Sequence, residues 1–181
     1  MRTAQEYDAN MHKVEQLTRP IFAKVDAGQP LSAEETKSLE KAEAMFVAMR
    51  DFLPDVPNNH FALGRICQAL GRPSAALGHY EQSLAILEPL PDRNTDENTL
   101  YAESSANIAE ILILANRVEE ADQAAYTALR AFPNDEKYLT LAARVRVQQK
   151  KYAEAKSLLQ KALKSNPEYS PAKTLLKLIE D

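Results

Sequence analysis

Val118–Pro133 reads VEEADQAAYTALRAFP, and Tyr152–Pro167 reads YAEAKSLLQKALKSNP. Laid one on the other, Ala121, Ala128 and Pro133 coincide with Ala155, Ala162 and Pro167, each 34 residues further on. Upstream, Ala42 and Phe46 stand the same 34 residues before Ala76 and Tyr80. Within each stretch the small residues recur at helical spacing, so they lie on one face of a helix. A fixed period of this length, built on small residues, marks a helical solenoid whose units bury their apolar faces only against neighbours.

Working outward, the composition agrees. Of 181 residues, 45% are apolar and only 4 are Gly, too apolar for a disordered chain and too poor in Gly for a loop-rich fold. The length suits one ordinary domain or several short repeats. A formal charge of −4 gives no reason to expect nucleic acid as a partner. Cys67 is the single cysteine, so no intramolecular disulfide demands an oxidising compartment. The opening MRTAQEYDANMHK has no apolar run and is not read as a secretory signal. No apolar run approaches the ~20 residues that span a bilayer. The expectation is a cytoplasmic protein with no membrane partner.

The net charge conceals a division. From Glu88 to Glu136 there are eleven acids and three bases, a balance of −8, and from Lys137 to Lys177 ten bases and two acids, a balance of +8. The plain reading is two solvated faces. The alternative is that the change of sign orients a charged ligand or a second copy of the chain.

Along the chain, Tyr7, Met11, Val14, Leu17, Ile21 and Val25 give a first helix over about residues 3–27, which Pro20 should kink or divide. Gly28-Gln-Pro30 ends it. Ser32-Ala-Glu-Glu35 predicts a capping box opening a second helix that Pro54 and Pro57 stop. Regular pairs follow. Asn58–Leu70 turns at Gly71-Arg-Pro73 into Ser74–Glu88, Leu100–Ala115 precedes Val118–Ala131, and Glu136–Gln149 precedes Tyr152–Ser165. The run PLPDRNTDEN, Pro89–Asn98, interrupts the period and predicts a loop plus an extra turn or two of the next helix, with Thr95, Asp96 and Glu97 at its start. Ser170-Pro171 opens a short last helix whose Leu175, Leu176 and Ile179 should cover the final pair, while Lys173, Lys177, Glu180 and Asp181 face water.

These pairs resemble the tetratricopeptide repeat, whose pattern is W-x2-L-G-x2-Y in a first helix and A-x3-F-x2-A with a later Pro in a second. Residues 57–90 carry His60, Leu63, Gly64 and Cys67, then Ala76, Tyr80 and Ser83. Residues 102–135 carry Ile108, Ala109 and Leu112, then Ala121, Ala125, Ala128 and Pro133. Residues 136–169 carry Leu139, Ala142 and Ala143, then Ala155, Leu159, Ala162 and Pro167. Residues 1–56 are read as a degenerate N-terminal pair, 57–169 as three repeats, and 170–181 as a capping helix. The resemblance implies an all-α fold, a right-handed superhelix of antiparallel helix pairs. Its function would be to bind a segment of another protein on the concave face lined by first helices; self-association into homo-oligomers is the alternative.

Carried over position by position, the family's concave residues fall on Asn58, Phe61, Arg65 and Gln68, on Glu103, Ala106, Asn107, Glu110 and Ile113, and on Lys137, Thr140, Arg144 and Val147. One subgroup of the family grips the C-terminal carboxylate of chaperone tails with five basic or amide residues. Asn107 and Lys137 match that set; Phe61 and Leu141 replace a Lys and an Arg, and Arg65 replaces an Asn. Two matches of five do not carry that role.

No catalytic residues, cofactor or metal are expected. His60 and Cys67 lie seven residues apart on one helix, about 10 Å along its axis, too far to share an ion whose bonds are roughly 2.0–2.3 Å; with His79 they are read as packing. Glu119, Glu120 and Asp122 at a helix start read as dipole stabilisation. Arg146 occupies a position usually filled by a packing residue, and is read as laying its stem over the core or pairing with an acid. The lysines at 150, 151, 156, 161 and 164 fall on the outer face without interleaved aromatics and read as solvation.

Overall fold

The computed structural model describes residues 3–180. Among them are nine α-helices and no strand. The chain divides into two compact units, residues 1–89 and 90–181. The first holds α1 (Ala4–Asp26), α2 (Ala33–Phe52), α3 (Pro57–Ala69) and α4 (Pro73–Leu87). The second holds α5 (Thr95–Leu114), α6 (Val118–Ala131), α7 (Glu136–Gln148), α8 (Tyr152–Ser165) and α9 (Ser170–Glu180). The fold is all-α, built of consecutive packed helix pairs, as the resemblance implies.

In the N-terminal unit, Val14 and Ile21 of α1 bury against Leu39, Ala42, Phe46 and Met49 of α2 and Leu63 and Ile66 of α3. This packing explains why α1 runs unbroken through Pro20, where a division was one expectation. An interior proline costs about 3 kcal/mol; burying Val14 and Ile21 returns about 1.5–3 kcal/mol each. Buried Asn59 accepts from the Tyr7 hydroxyl at 3.0 Å and donates to the Leu53 carbonyl at 3.3 Å, tying α3 to α1 and to the end of α2. The box at Ser32 forms as expected: Ser32 Oγ accepts from the Glu35 N–H at 3.2 Å, and Glu35 Oε2 accepts from the Ser32 N–H at 2.8 Å.

In the C-terminal unit, Leu139 and Ala143 of α7, Ala155, Leu159 and Ala162 of α8 and Ala172 of α9 form a core, onto which Leu175, Leu176 and Ile179 pack. Lys173, Lys177 and Glu180 are exposed as expected, and Asp181 lies outside the described residues. Helix α5 starts at Thr95, the start expected for the extra turns ahead of Leu100. A second capping box causes this: Asn94 Oδ1 accepts from the Glu97 N–H at 3.0 Å, and Glu97 Oε2 from the Asn94 N–H at 2.9 Å. The cap is therefore Asn94, and the interrupting segment adds its extra turn to α5.

Four turns close alike. The N–H groups of Gln29, Arg72, Arg117 and Lys151 reach back to the carbonyls of Lys24, Cys67, Leu112 and Arg146 at 2.8–3.0 Å. Each closure requires a left-handed residue after the helix. Gly28 and Gly71 supply it at φ 68° and 70°, whereas Asn116 and Lys150 adopt φ 57° and 60°.

Candidate functional site: the first-helix face of each unit

The spacing that buries Ala109, Leu112, Leu139 and Ala143 leaves Glu103, Asn107, Glu110, Lys137 and Arg144 half-buried or exposed on the remaining face of α5 and α7. The structure joins them across the two helices. Arg144 pairs with Glu110, and Lys137 Nζ lies 3.8 Å from a Glu103 oxygen. Each base stands 34 residues after its acid, one repeat period, so equivalent positions of successive repeats meet. Asn107 Nδ2 donates to the Glu103 carbonyl at 2.8 Å. Thr140 is 4% exposed, and its hydroxyl has no hydrogen-bond partner among the described residues.

Asn107, Glu110, Lys137, Thr140 and Arg144 line a pocket of about 320 Å³, walled also by Ala106, Leu141, Tyr169 and Pro171. Burial, with the carboxylates of Glu136, Asp135 and Glu110, raises the Tyr169 phenol above its ordinary pKa of 10.0 and keeps it a neutral donor. Tyr169 and Pro171 were missed in the sequence because they come from the approach to α9. Ile113, also assigned to the binding face, is 7% exposed and is not among the residues lining this pocket.

The N-terminal unit treats its assigned residues differently. Arg65 donates to both oxygens of Asp26 at 2.8 and 3.0 Å and lies 4.1 Å over the Phe22 ring. Phe61 packs on Tyr80, ring centres 5.7 Å apart. Gln68 accepts from the Tyr80 hydroxyl at 2.9 Å, so its carbonyl holds a core tyrosine. Asn58 is exposed.

The remaining candidates find structural partners. Arg146 donates to Asp122 at 2.6 Å, to Gln149 at 2.8 Å and to Glu154 at 3.0 Å, which is the acid pairing the sequence suggested. It floors a second depression of about 360 Å³ on the α6–α8 face, beside Tyr126, Leu129 and Leu158. The His60 ring is 8% exposed and meets the Pro54 carbonyl at 3.1 Å, and its centre is 6.3 Å from that of His79. Burial first, then His60, lowers the His79 pKa below 6.5. Buried Cys67 meets Glu43 at 3.7 Å, and burial raises its thiol pKa. No group of three His, Cys, Asp or Glu among the described residues could hold a metal ion. No described helix is long and apolar enough to cross a membrane.

Antiparallel helix pairs crossing at buried alanines, with polar side chains on first helices, define an α-helical repeat protein. Models of the tetratricopeptide repeat match residues 60–93 and 136–169. Tetratricopeptide repeats thus occupy two stretches of the chain, which at that level is a protein-interaction scaffold. Solved structures share the fold. A chain of the APC/C hetero-tetramer Cut9–Hcn1 matches at 19% identity and a TM-score of 0.70, covering 79% of this chain and 27% of that one. MamA from Desulfovibrio magneticus RS-1, residues 41 to the end, matches at 15% identity and a TM-score of 0.67, covering 93% of this chain and 84% of that one. Another MamA crystal structure matches at 13% identity and a TM-score of 0.66, covering 82% and 83%. No curated protein matches the chain in sequence.

Proposed function

We propose that the chain captures a peptide segment of a partner protein on its first-helix faces, with Asn107, Glu110, Lys137, Thr140 and Arg144 as contacts in the C-terminal unit and Asn58, Phe61, Arg65 and Gln68 marking the face of the N-terminal unit. Glu103 belongs to the first set through its contact with Lys137. The observation behind this reading is the pocket on α5 and α7, preformed and lined by groups able to donate and accept hydrogen bonds. On this reading residues 1–56 are a degenerate pair, 57–90, 102–135 and 136–169 the repeats, and 170–181 the cap. The protein works in the cytoplasm, without catalysis of its own.

Self-association through the opposed charge blocks is the less favoured reading. The blocks already neutralise each other at Glu110–Arg144 and Glu103–Lys137, within the C-terminal unit. The test compares proteins captured by wild type with those captured by Glu110→Ala and Arg144→Ala. Lys164→Ala is the outer-face control, because Lys161 donates to the Pro133 carbonyl at 2.8 Å. Tyr126→Ser probes the α6–α8 depression. Partners lost with the first two variants and kept with the others support the reading; the reverse pattern overturns it, and mass in solution at low and high salt checks self-association.

A further inference from the structure

We propose that the α5–α7 pocket takes an uncharged carboxamide side chain, an asparagine or glutamine of the partner segment, in preference to a carboxylate. The proposal rests on the peptide-binding reading and specifies its anchor. Two observations carry it.

The first is charge. Lys137 and Arg144, the bases on this face, are each matched by an acid, Glu103 and Glu110. A carboxylate entering the pocket meets Glu110, with Glu103 close behind Lys137, and an ammonium meets Lys137 and Arg144. A neutral dipole meets neither penalty. A carboxamide offers its oxygen to the guanidinium or ammonium and its NH2 to a carboxylate, one group serving both signs.

The second is the hydroxyl of Thr140. Elsewhere in the helices, Thr18, Thr36, Thr99, Ser105 and Thr127 each donate to the carbonyl four residues back at 2.8–3.0 Å. Thr140 makes no such bond and meets no other acceptor among the described residues, although it is only 4% exposed at the pocket. Buried polar groups are normally satisfied. This hydroxyl both donates and accepts, so either end of a carboxamide satisfies it. A volume of about 320 Å³ admits such a side chain with part of its backbone, and Ala106, Leu141 and Pro171 supply apolar wall for its methylenes.

The probes are N-acetyl-glutamine methylamide and N-acetyl-glutamate methylamide, equal in size and different in charge. They are titrated into the full chain while the methyl resonances of Thr140, Leu141 and Ala106 are followed. The glutamine probe should shift these resonances with an affinity about tenfold above that of the glutamate probe. Thr140→Val should remove that advantage and Thr140→Ser keep it, both with unchanged helix content. Glu110→Gln should reverse the order by freeing Arg144. Equal binding, tighter binding of the glutamate probe, absence of shifts from both, or indifference to Thr140→Val overturns the proposal. If partners still depend on Glu110 and Arg144 in that event, the peptide-binding reading stands and only the anchor chemistry falls.

Discussion

Gly64 lets α3 pass close to the ring of Tyr80, which is fully buried: a Cβ at this position would stand 2.7 Å from two ring carbons. Tyr80 is held by Gln68 and cannot retreat freely. Gly64→Ala therefore overpacks the contact and should cost about 1–3 kcal/mol in urea unfolding, despite alanine's better helix propensity. At Lys150 the sign is opposite. Its left-handed φ of 60° is strained for a side-chain-bearing residue. Lys150→Gly should stabilise by about 0.5–1 kcal/mol, the strain relieved less the backbone entropy glycine loses. A third effect is set by pH. The His79 pKa lies below 6.5 in the folded chain, so the unfolded chain takes up the proton first. Stability should fall as pH drops through and below 6.5, and His79→Gln should flatten that part of the melting profile. Glu35 acts lower on the scale: the Lys24 hydrogen bond, then the Ser32 cap, pull it to about 2, so its contribution is present above 4.5 and lost as pH falls towards about 2.

At the level of the element, α9 has the most to test. Its Ala172 is fully buried, and Leu175, Leu176 and Ile179 lie on the core of α7 and α8, while Leu178 remains 70% exposed. Partial burial makes about 1.5–3 kcal/mol per side chain an upper figure. Deleting residues 170–181 should still lower the melting temperature or cause aggregation through the uncovered Leu139 and Leu159. The deletion also removes Pro171 from the pocket, so probe binding there should weaken in parallel. Unchanged stability and solubility would show that α9 is not a cap.

For the whole molecule, the balances of −8 and +8, which apart from Glu88 fall within the C-terminal unit, meet across α5 and α7. Such half-exposed pairs contribute about 0.2–1 kcal/mol each. Reversing Lys137 and Arg144 together to Glu should lower the melting temperature at low salt, by putting four carboxylates on one face. Adding Glu103→Lys and Glu110→Arg should restore it. Because the face is neutralised internally, partner affinity should change only a few-fold between about 50 and 500 mM salt, although the Debye length then falls from roughly 14 to 4 Å. A steep salt dependence would return the charge blocks to a steering role.

The helix pairs, their 34-residue period and the capping box at Ser32 were legible in the residues, because local hydrogen bonding and one-sided packing impose their own spacing. Ser32 to Glu35 and Gly71 announce a helix start and a turn without help from distant parts of the chain. Glu110 and Arg144 stand one period apart in the sequence, but their pairing shows only once the two helices lie side by side. What no linear reading supplied depends on segments far apart in sequence. Pro20 stays within a helix because Val14 and Ile21 find a core on α2 and α3. Tyr169 and Pro171 become pocket walls because α9 folds back near α7. Phe61 and Gln68 are drawn to Tyr80 because α4 returns along α3. Local propensity decides which residues form a helix; burial against a distant neighbour decides which of its side chains remain for a partner.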